Sequence, residues 1–274
     1  MTRISVDGVR YEVRVGGRGP GLLLLHGFTG RGADWGPLLP ALRRVSTTVV
    51  VDLLGHGRSD SPPDPARHAL ERQASDLVDV LGLTGTTPAI VVGYSFGARV
   101  ALRLAADRPD AVRALILESP SAGVAEPAAR ARRRADDERL ADGIQRDGIE
   151  AFVDTWWETA PVFAAERRLP AATRARFRAG RLRNRPGGLA ASLRGAGQGA
   201  MTPLHANLPG IAAPTLVIAG ALDPDGLGRA RAVADGIPNA RLCELDGVGH
   251  AAHRESPARF RRLILDFLQE VPAA

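Results

Sequence analysis

Short apolar runs alternate along the chain with longer segments of helical spacing, and this alternation constrains the fold more than any other feature. Several runs are continuously apolar, such as LLLL, TVVV and AIVV. A strand needs such a run when both of its faces are covered, which is typical of a parallel sheet with helices on either side. The pattern therefore predicts an α/β fold with a mostly parallel central sheet flanked by helices.

The predicted elements divide the chain into a sheet-forming core and one insertion. After a hairpin formed by residues 3–6 and 10–15, we predict strands at 21–25, 48–52, 89–93, 113–117, 214–219 and 241–245. Helices are predicted at 69–81, 95–107, 229–235 and 257–268. Between 119 and 209 Ala- and Arg-rich helical stretches replace strands. We therefore expect a core of residues 1–118 and 210–274, with a helical cap, 119–209, inserted after the sixth strand.

The composition is that of a water-soluble globular chain with enough apolar residues for one full core. Of the 274 residues 45% are hydrophobic and 24% charged, and the mean hydropathy is −0.07. The apolar runs are much shorter than the roughly 20 residues that cross a bilayer, and the N-terminus lacks the apolar stretch of a signal peptide. We expect no membrane span and a cytoplasmic location. Cys243 stands alone in the sequence, so an intramolecular disulfide is excluded.

Positive charge is concentrated in the insertion. All 36 basic residues are Arg, the net charge is +6, and residues 167–222 contain nine Arg without an Asp or Glu. Such a run can be a solvated face, a nucleic-acid surface, or the source of a positive field over a cleft. Aromatic interleaving and nucleic-acid motifs are lacking. We therefore expect a small anionic substrate and no nucleic-acid partner.

The segment Gly93-Tyr94-Ser95-Phe96-Gly97 matches G-x-S-x-G and lies between the strand AIVV and the helix ARVALRLAA. A sharp turn from strand to helix holds the serine in a strained conformation, and the small flanking residues relieve the crowding. This context predicts a nucleophile elbow, with the hydroxyl of Ser95 projecting above the sheet.

A serine nucleophile needs a base, and the base needs a carboxylate that orients it. Asp223 follows the strand PTLVIAG and His250 follows the last predicted strand, so both lie in loops at the carboxyl edge of the sheet. Asp225 and Asp246 are alternative acids, but neither directly follows a strand in the position of the acid. His253 is the alternative base. We predict a triad of the serine with Asp223 and His250.

The early strand ends in Leu25-His26-Gly27-Phe28, where an oxyanion hole is expected. We predict that the backbone NH groups of Phe28 and Phe96 form it; the alternative is an ordinary turn after a strand. His, Cys and carboxylate residues show no metal-ligand spacing, and neither a P-loop nor G-x-G-x-x-G follows a strand. We expect no metal and no nucleotide cofactor.

The chain resembles the α/β-hydrolase superfamily over nearly its whole length. The resemblance rests on motifs that occur in the same order: L-H-G-F, D-x-x-G-x-G-x-S, G-Y-S-F-G, and the late Asp and Gly-His. Residues 93–199 resemble more specifically the 2-succinyl-6-hydroxy-2,4-cyclohexadiene-1-carboxylate synthases of menaquinone biosynthesis. The resemblance rests on G-Y-S-F-G-A-R, on RARRRADDERLA, on the Phe-Val and Trp-Trp segment, and on RLRN followed by LAASLRG.

This resemblance implies an elimination of pyruvate in which the triad removes a proton from 2-succinyl-5-enolpyruvyl-6-hydroxy-3-cyclohexene-1-carboxylate. It also implies that the substrate is bound by Tyr94, Arg99, Arg133, Trp157 and Arg181. Residues of the same types lie one or two positions from those assigned in the insertion, so these alternatives stay open: Arg132, Arg134, Trp156 and Arg183.

Two residues depart from the family pattern. Ala98 replaces a glycine, and Asp225 stands where many members carry a basic residue after the triad Asp. The same scaffold could instead serve a carboxylic ester hydrolase or a C–C bond hydrolase acting on an acidic compound. A binding protein without catalysis is the third alternative, which the complete Ser, Asp and His set disfavours. The sequence leaves open whether the protein is a monomer or a homodimer.

Overall fold

A computed structural model describes residues 2–272, so the predicted core limits at 1 and 274 lie outside the described residues. The strands are β1 (Thr2–Val6), β2 (Val9–Gly17), β3 (Gly21–Leu25), β4 (Thr47–Val51), β5 (Ala89–Tyr94), β6 (Val112–Glu118), β7 (Thr215–Gly220) and β8 (Ala240–Leu245). Within the described range they form one sheet in the order β1-β2-β4-β3-β5-β6-β7-β8. The pairs β1/β2 and β2/β4 are antiparallel, and every other neighbouring pair is parallel. The predicted mostly parallel sheet is confirmed.

Helices cover both faces of this sheet. Those of the core are α1 (Leu39–Leu42), α2 (Leu70–Leu83), α3 (Phe96–Asp107), α7 (Pro224–Gly236), α8 (Ala252–Glu255) and α9 (Pro257–Glu270). The sequence predicted only residues 229–235 of α7, because Gly226 and Gly228 weaken the helical pattern before them. In the structure the side chain of Asp223 caps this helix by accepting a hydrogen bond from Gly226 N at 3.0 Å. The cap satisfies a donor at the helix start and allows the earlier beginning.

Two apolar layers, one on each face of the sheet, make up the core. One layer joins α2, α3 and α7 to the sheet, and the other joins α9 and the buried Trp35 to the opposite face. The alternation of side chains along each strand explains this division: Leu23 and Leu25 point into the first layer, Leu22 and Leu24 into the second. All of these leucines are fully buried, as the continuous apolar runs predict.

The chain between β6 and β7 is helical, which confirms the predicted insertion after the sixth strand. It contains α4 (Pro127–Thr159), α5 (Ala171–Arg181) and α6 (Pro186–Ala196), and α4 is interrupted at Gly148, where φ is 81°. The segment has an apolar cluster of its own between α4 and α6. Asn184 connects it to the core by accepting from Gly57 N at 2.8 Å and donating to Thr29 O at 2.7 Å. Among residues 2–272 the structure contains no helix long and apolar enough to span a bilayer.

Candidate active site

Ser95 lies at the junction of β5 and α3, above the carboxyl edge of the sheet. Its φ of 50° and ψ of −102° are strained for a residue with a side chain. Close packing explains the glycines on either side. A Cβ on Gly93 would lie 2.5 Å from Gly97 O, and one on Gly97 would lie 2.2 Å from Leu25 O. The turn therefore requires this spacing of small residues, and it projects the serine hydroxyl into the cavity described below.

Three side chains that are distant in the sequence meet at this serine. His250 Nε2 lies 3.0 Å from Ser95 Oγ, and His250 Nδ1 lies 2.6 Å from Asp223 Oδ2. The alternatives lie elsewhere: Asp225 is exposed on the surface, and the ring of His253 is hydrogen-bonded to the buried Glu118 at 2.8 Å. The arrangement can pass a proton from the serine hydroxyl to the imidazole, which the carboxylate orients.

Local contacts hold the acid and the histidine of this group in place. Burial alone would raise the pKa of Asp223, but the hydrogen bond from His250 and the NH of Gly226 lower it below its ordinary value. The carboxylate therefore stays ionised at neutral pH. Ser119, at the end of β6 with φ of 48°, donates its hydroxyl to His250 O at 2.8 Å and so fixes the histidine loop.

The two residues predicted to form the oxyanion hole lie on neighbouring elements. Phe28 follows β3, and Phe96 is the first residue of α3, where backbone NH groups lack an acceptor within the helix. The ring of buried His56 lies between their side chains, 5.6 Å from each ring centroid. Phe28 also lines the cavity beside the serine.

A cavity of about 280 Å³ opens over the serine between the core and the insertion. Of the predicted substrate-binding residues, four line it: Tyr94, Arg99, Arg133 and Arg181. Trp157 does not line the cavity, whereas Trp156, the alternative that the sequence left open, does. Consecutive residues of a helix point about 100° apart, so sequence spacing alone could not identify the tryptophan that faces the cavity.

The two tryptophans have different surroundings. Trp156 packs against Phe28, Phe152 and Phe163, with ring centroids 4.6 to 5.6 Å apart. Trp157 is 7% exposed and lies behind Arg181, whose guanidinium carbon is 5.4 Å from its ring centroid. Trp156 therefore shapes the cavity, whereas Trp157 supports one of its arginines.

The predicted arginines differ in burial and partners. Arg99 is buried and donates to Ala196 O at 2.8 Å; burial and the nearby Arg133 lower its pKa to about 10. Arg133 is partly exposed and donates to the buried Asp137 at 2.8 Å. Arg181 is 2% exposed, and its Nε and Nη1 have no hydrogen-bond partner among the described residues. These guanidinium groups place at the cavity the hydrogen-bond donors that suit a carboxylate.

Sequence reasoning missed a buried ion-pair cluster beside the cavity. Glu166 accepts from Arg181 Nη2 at 2.5 Å and from Arg254 Nη1 at 2.8 Å, and Arg254 also donates to Asp34 at 2.8 Å. Burial alone would raise the pKa of Glu166, but Arg254 and Arg181 hold it at about 2. The one local signal was the position of Arg254 four residues after His250, in the short helix α8 that follows the histidine loop.

Arg229 on α7 also lines the cavity and was not singled out from the sequence. It is half-buried, and its place in the predicted helix 229–235 gave no indication that it faces the cavity. In the described part of the chain, His, Cys, Asp and Glu side chains form no group that could hold a metal ion.

Comparison with known proteins agrees with this architecture. A family model described as the alpha/beta hydrolase fold matches residues 20–257. The chain belongs to the α/β-hydrolase fold family, as the sheet and the serine elbow indicate. Within that fold it belongs to the 2-succinyl-6-hydroxy-2,4-cyclohexadiene-1-carboxylate synthase family, as its sequence identity to the following relatives shows.

A Bacillus subtilis protein provisionally named as this synthase is 37% identical over 267 residues, which cover 97% of each chain. The synthase of Klebsiella pneumoniae is 33% identical over 87% of this chain and 90% of its own. Among solved structures, MenH from S. aureus superposes with a TM-score of 0.90 at 31% identity, over 95% of this chain and 98% of that one. A Thermogutta terrifontis esterase with malate bound has a TM-score of 0.87 at 26% identity, over the full length of both.

Proposed function

We propose that the protein is a 2-succinyl-6-hydroxy-2,4-cyclohexadiene-1-carboxylate synthase, a lyase that eliminates pyruvate from 2-succinyl-5-enolpyruvyl-6-hydroxy-3-cyclohexene-1-carboxylate. It is an enzyme that uses a hydrolase fold for an elimination. The observation that carries the proposal is the combination of a Ser95–His250–Asp223 chain with an arginine-lined cavity, in a chain 37% identical to a protein provisionally named as this synthase over nearly its full length.

The first step is removal of the proton on the ring carbon beside the succinyl carbonyl. Ser95 Oγ, whose own proton His250 accepts, takes the substrate proton as general base. The C–H electron pair moves toward the carbonyl, and negative charge develops on its oxygen. The imidazolium that forms is stabilised by Asp223, which the contacts above keep ionised.

The charge on the carbonyl oxygen is stabilised by the NH groups of Phe28 and Phe96, which we assign to the oxyanion hole. Donors already held in place cost no reorganisation when the charge develops, and they act in a site shielded from water. When the electron pair returns, a double bond forms between ring carbons 2 and 3 and the existing ring double bond moves from carbons 3 and 4 to carbons 4 and 5. The C–O bond between carbon 5 and the enolpyruvyl group breaks at the same time. Protonation of the departing enolate gives pyruvate.

Substrate binding is assigned to the arginines and aromatic residues of the wall. The substrate carries carboxylates on its ring, succinyl and enolpyruvyl groups, and a guanidinium can donate two parallel hydrogen bonds to each. Arg99 lies one helical turn after Ser95 and therefore beside the reacting carbon. Arg133 and Arg181 approach from the insertion, while Tyr94 and Trp156 form the apolar wall.

The proposal is tested by a coupled assay for pyruvate release from the enolpyruvyl substrate. We expect Ser95→Ala to lower kcat by about 10³-fold or more, because the base is lost. Arg99→Ala removes a charge-assisted contact and should lower kcat/KM by about 10- to 100-fold. Arg146→Ala is the matched control, since Arg146 is exposed and pairs with Asp147 at the surface. Release at the spontaneous rate by the unmodified protein would refute the proposal.

A serine hydrolase acting on a small anionic ester is the second candidate, favoured by the likeness to the malate-bound esterase. Hydrolysis requires the serine to attack a carbonyl carbon and form an acyl-enzyme. Incubation with an activated ester followed by mass spectrometry detects that adduct. The hydrolase would be favoured if an acyl group is found on Ser95, either as a stable adduct or as an intermediate of ester turnover, and no pyruvate is formed from the enolpyruvyl substrate.

Three further assignments stay predictions. We propose residues 119–209 as the cap domain and residues 1–118 with 210–274 as the core. The division agrees with the separate apolar cluster between α4 and α6. A cytoplasmic location and a monomeric or homodimeric state are also predictions. Cell fractionation and light scattering of the purified protein, respectively, test them.

A further inference from the structure

The positive charge of the cavity wall is only partly balanced by protein carboxylates. Among the described residues five arginines line the cavity. Three of them are paired with acidic side chains: Arg133 with Asp137, Arg181 with Glu166, and Arg254 with Glu166 and Asp34. Within residues 2–272, Arg99 and Arg229 have no carboxylate partner. The net positive charge available to an anionic ligand therefore comes from these two residues.

Arg229 is the less constrained of the two. Whereas Arg99 donates to a backbone carbonyl, the guanidinium of Arg229 has no hydrogen-bond or ion-pair partner within residues 2–272. Asp225, four residues earlier on α7, is exposed and does not pair with it. Arg229 is itself half-buried on the wall of the cavity that holds Ser95 and His250. An arginine held partly out of water without an acceptor is favoured when a ligand supplies the acceptor.

We propose that Arg229 binds a carboxylate of the substrate from the core side of the cavity. The inference rests on the proposed function and extends it to a residue outside the insertion. Arg229 lies on α7, Arg99 on α3, and Arg133 and Arg181 on the inserted helices, so the substrate carboxylates are contacted from several sides. The position of the substrate ring relative to Ser95 then depends on contacts from both the core and the insertion.

A different role for Arg229 would act through the triad. Its charge contributes to lowering the pKa of Asp223, although no hydrogen bond joins the two side chains in the described residues. If that effect were its purpose, neutralising Arg229 would lower kcat and move the pH profile, with KM unchanged. If Arg229 binds substrate, KM rises and kcat changes little.

The experiment measures steady-state pyruvate release by unmodified protein, Arg229→Gln, Arg229→Lys and Arg231→Gln. Arg231 is the matched control, because it lies on the same helix and pairs with Glu244 at the surface. We expect Arg229→Gln to raise KM about 10- to 100-fold with kcat within a few-fold, and Arg229→Lys to recover part of the loss. The thermal unfolding midpoint should not fall, because no protein contact is removed. An unchanged KM would overturn the proposal, as would a fall in kcat alone with a shifted pH profile.

A second measurement separates this proposal from the function on which it rests. If the unmodified protein releases no pyruvate, the proposed reaction fails, and binding of tricarballylate, a tricarboxylate probe, is measured by calorimetry. Binding at least 10-fold weaker in Arg229→Gln than in the unmodified protein would still support an anion site at Arg229. Equal affinity, or no binding to either, would overturn it.

Discussion

Replacement of Glu166 by Gln should destabilise the folded protein by about 3 kcal/mol at neutral pH. The carboxylate is 1% exposed and joins Arg181 of the insertion to Arg254 of the core. Its pKa of about 2, against an ordinary 4.5, corresponds to about 3 kcal/mol of stabilisation of the folded state at neutral pH. Breaking a buried pair that leaves charges uncompensated costs a similar 3–5 kcal/mol on general grounds.

The dependence of this effect on pH identifies its origin. Because the folded pKa lies below the unfolded one, the stabilisation is fully present above pH 4.5 and is lost as the pH falls toward about 2. The difference in unfolding free energy between the unmodified protein and Glu166→Gln should therefore be about 3 kcal/mol at pH 7 and about half of that at pH 3.

Urea unfolding, followed by tryptophan fluorescence at pH 7, 5, 4 and 3, measures this difference. Glu158→Gln is the control, because Glu158 lies on the same insertion but is exposed. A loss below about 1 kcal/mol at pH 7 would refute the argument from burial. A difference that stays constant down to pH 3 would show that ionisation of Glu166 is not its source.

Further predictions concern the cavity wall and the histidine loop. Trp156→Ala should raise KM about 10-fold with a modest loss of stability. Trp157→Ala should instead lower the free energy of unfolding by about 3 kcal/mol, because Trp157 is buried. Equal KM values in the two variants would contradict the assignment of Trp156 to the cavity wall. Ser119→Ala removes the hydrogen bond to His250 O and should lower kcat about 10-fold with KM unchanged, as steady-state kinetics would show. Arg99→Lys should recover only part of the activity lost in Arg99→Ala, because an ammonium lacks the planar fork; full recovery would show that charge alone suffices.

The contacts between buried charges of the insertion and the core are the part of the site that the sequence did not predict. The elbow around Ser95 was predictable because its strand, turn and helix are consecutive in the chain, and the close contact between Gly93 and Gly97 is local. By contrast, Glu166 meets Arg181 and Arg254 across 15 and 88 residues. The spacing of residues along the chain does not predict these ion pairs, because the pairs depend on how the insertion packs on the core.

The sequence by itself determined the α/β fold, the order of the strands along the chain, the helical insertion, and Ser95, Asp223 and His250 as candidates for catalysis. Each of these follows from short-range patterns: apolar runs, turn residues, and side chains that directly follow strands. Only the tertiary structure decided that Trp156 and not Trp157 faces the cavity, and that Arg229 and Arg254 line it. Those outcomes depend on the rotation of each helix about its axis and on contacts between distant segments, which are set by packing and by the pairing of buried charges.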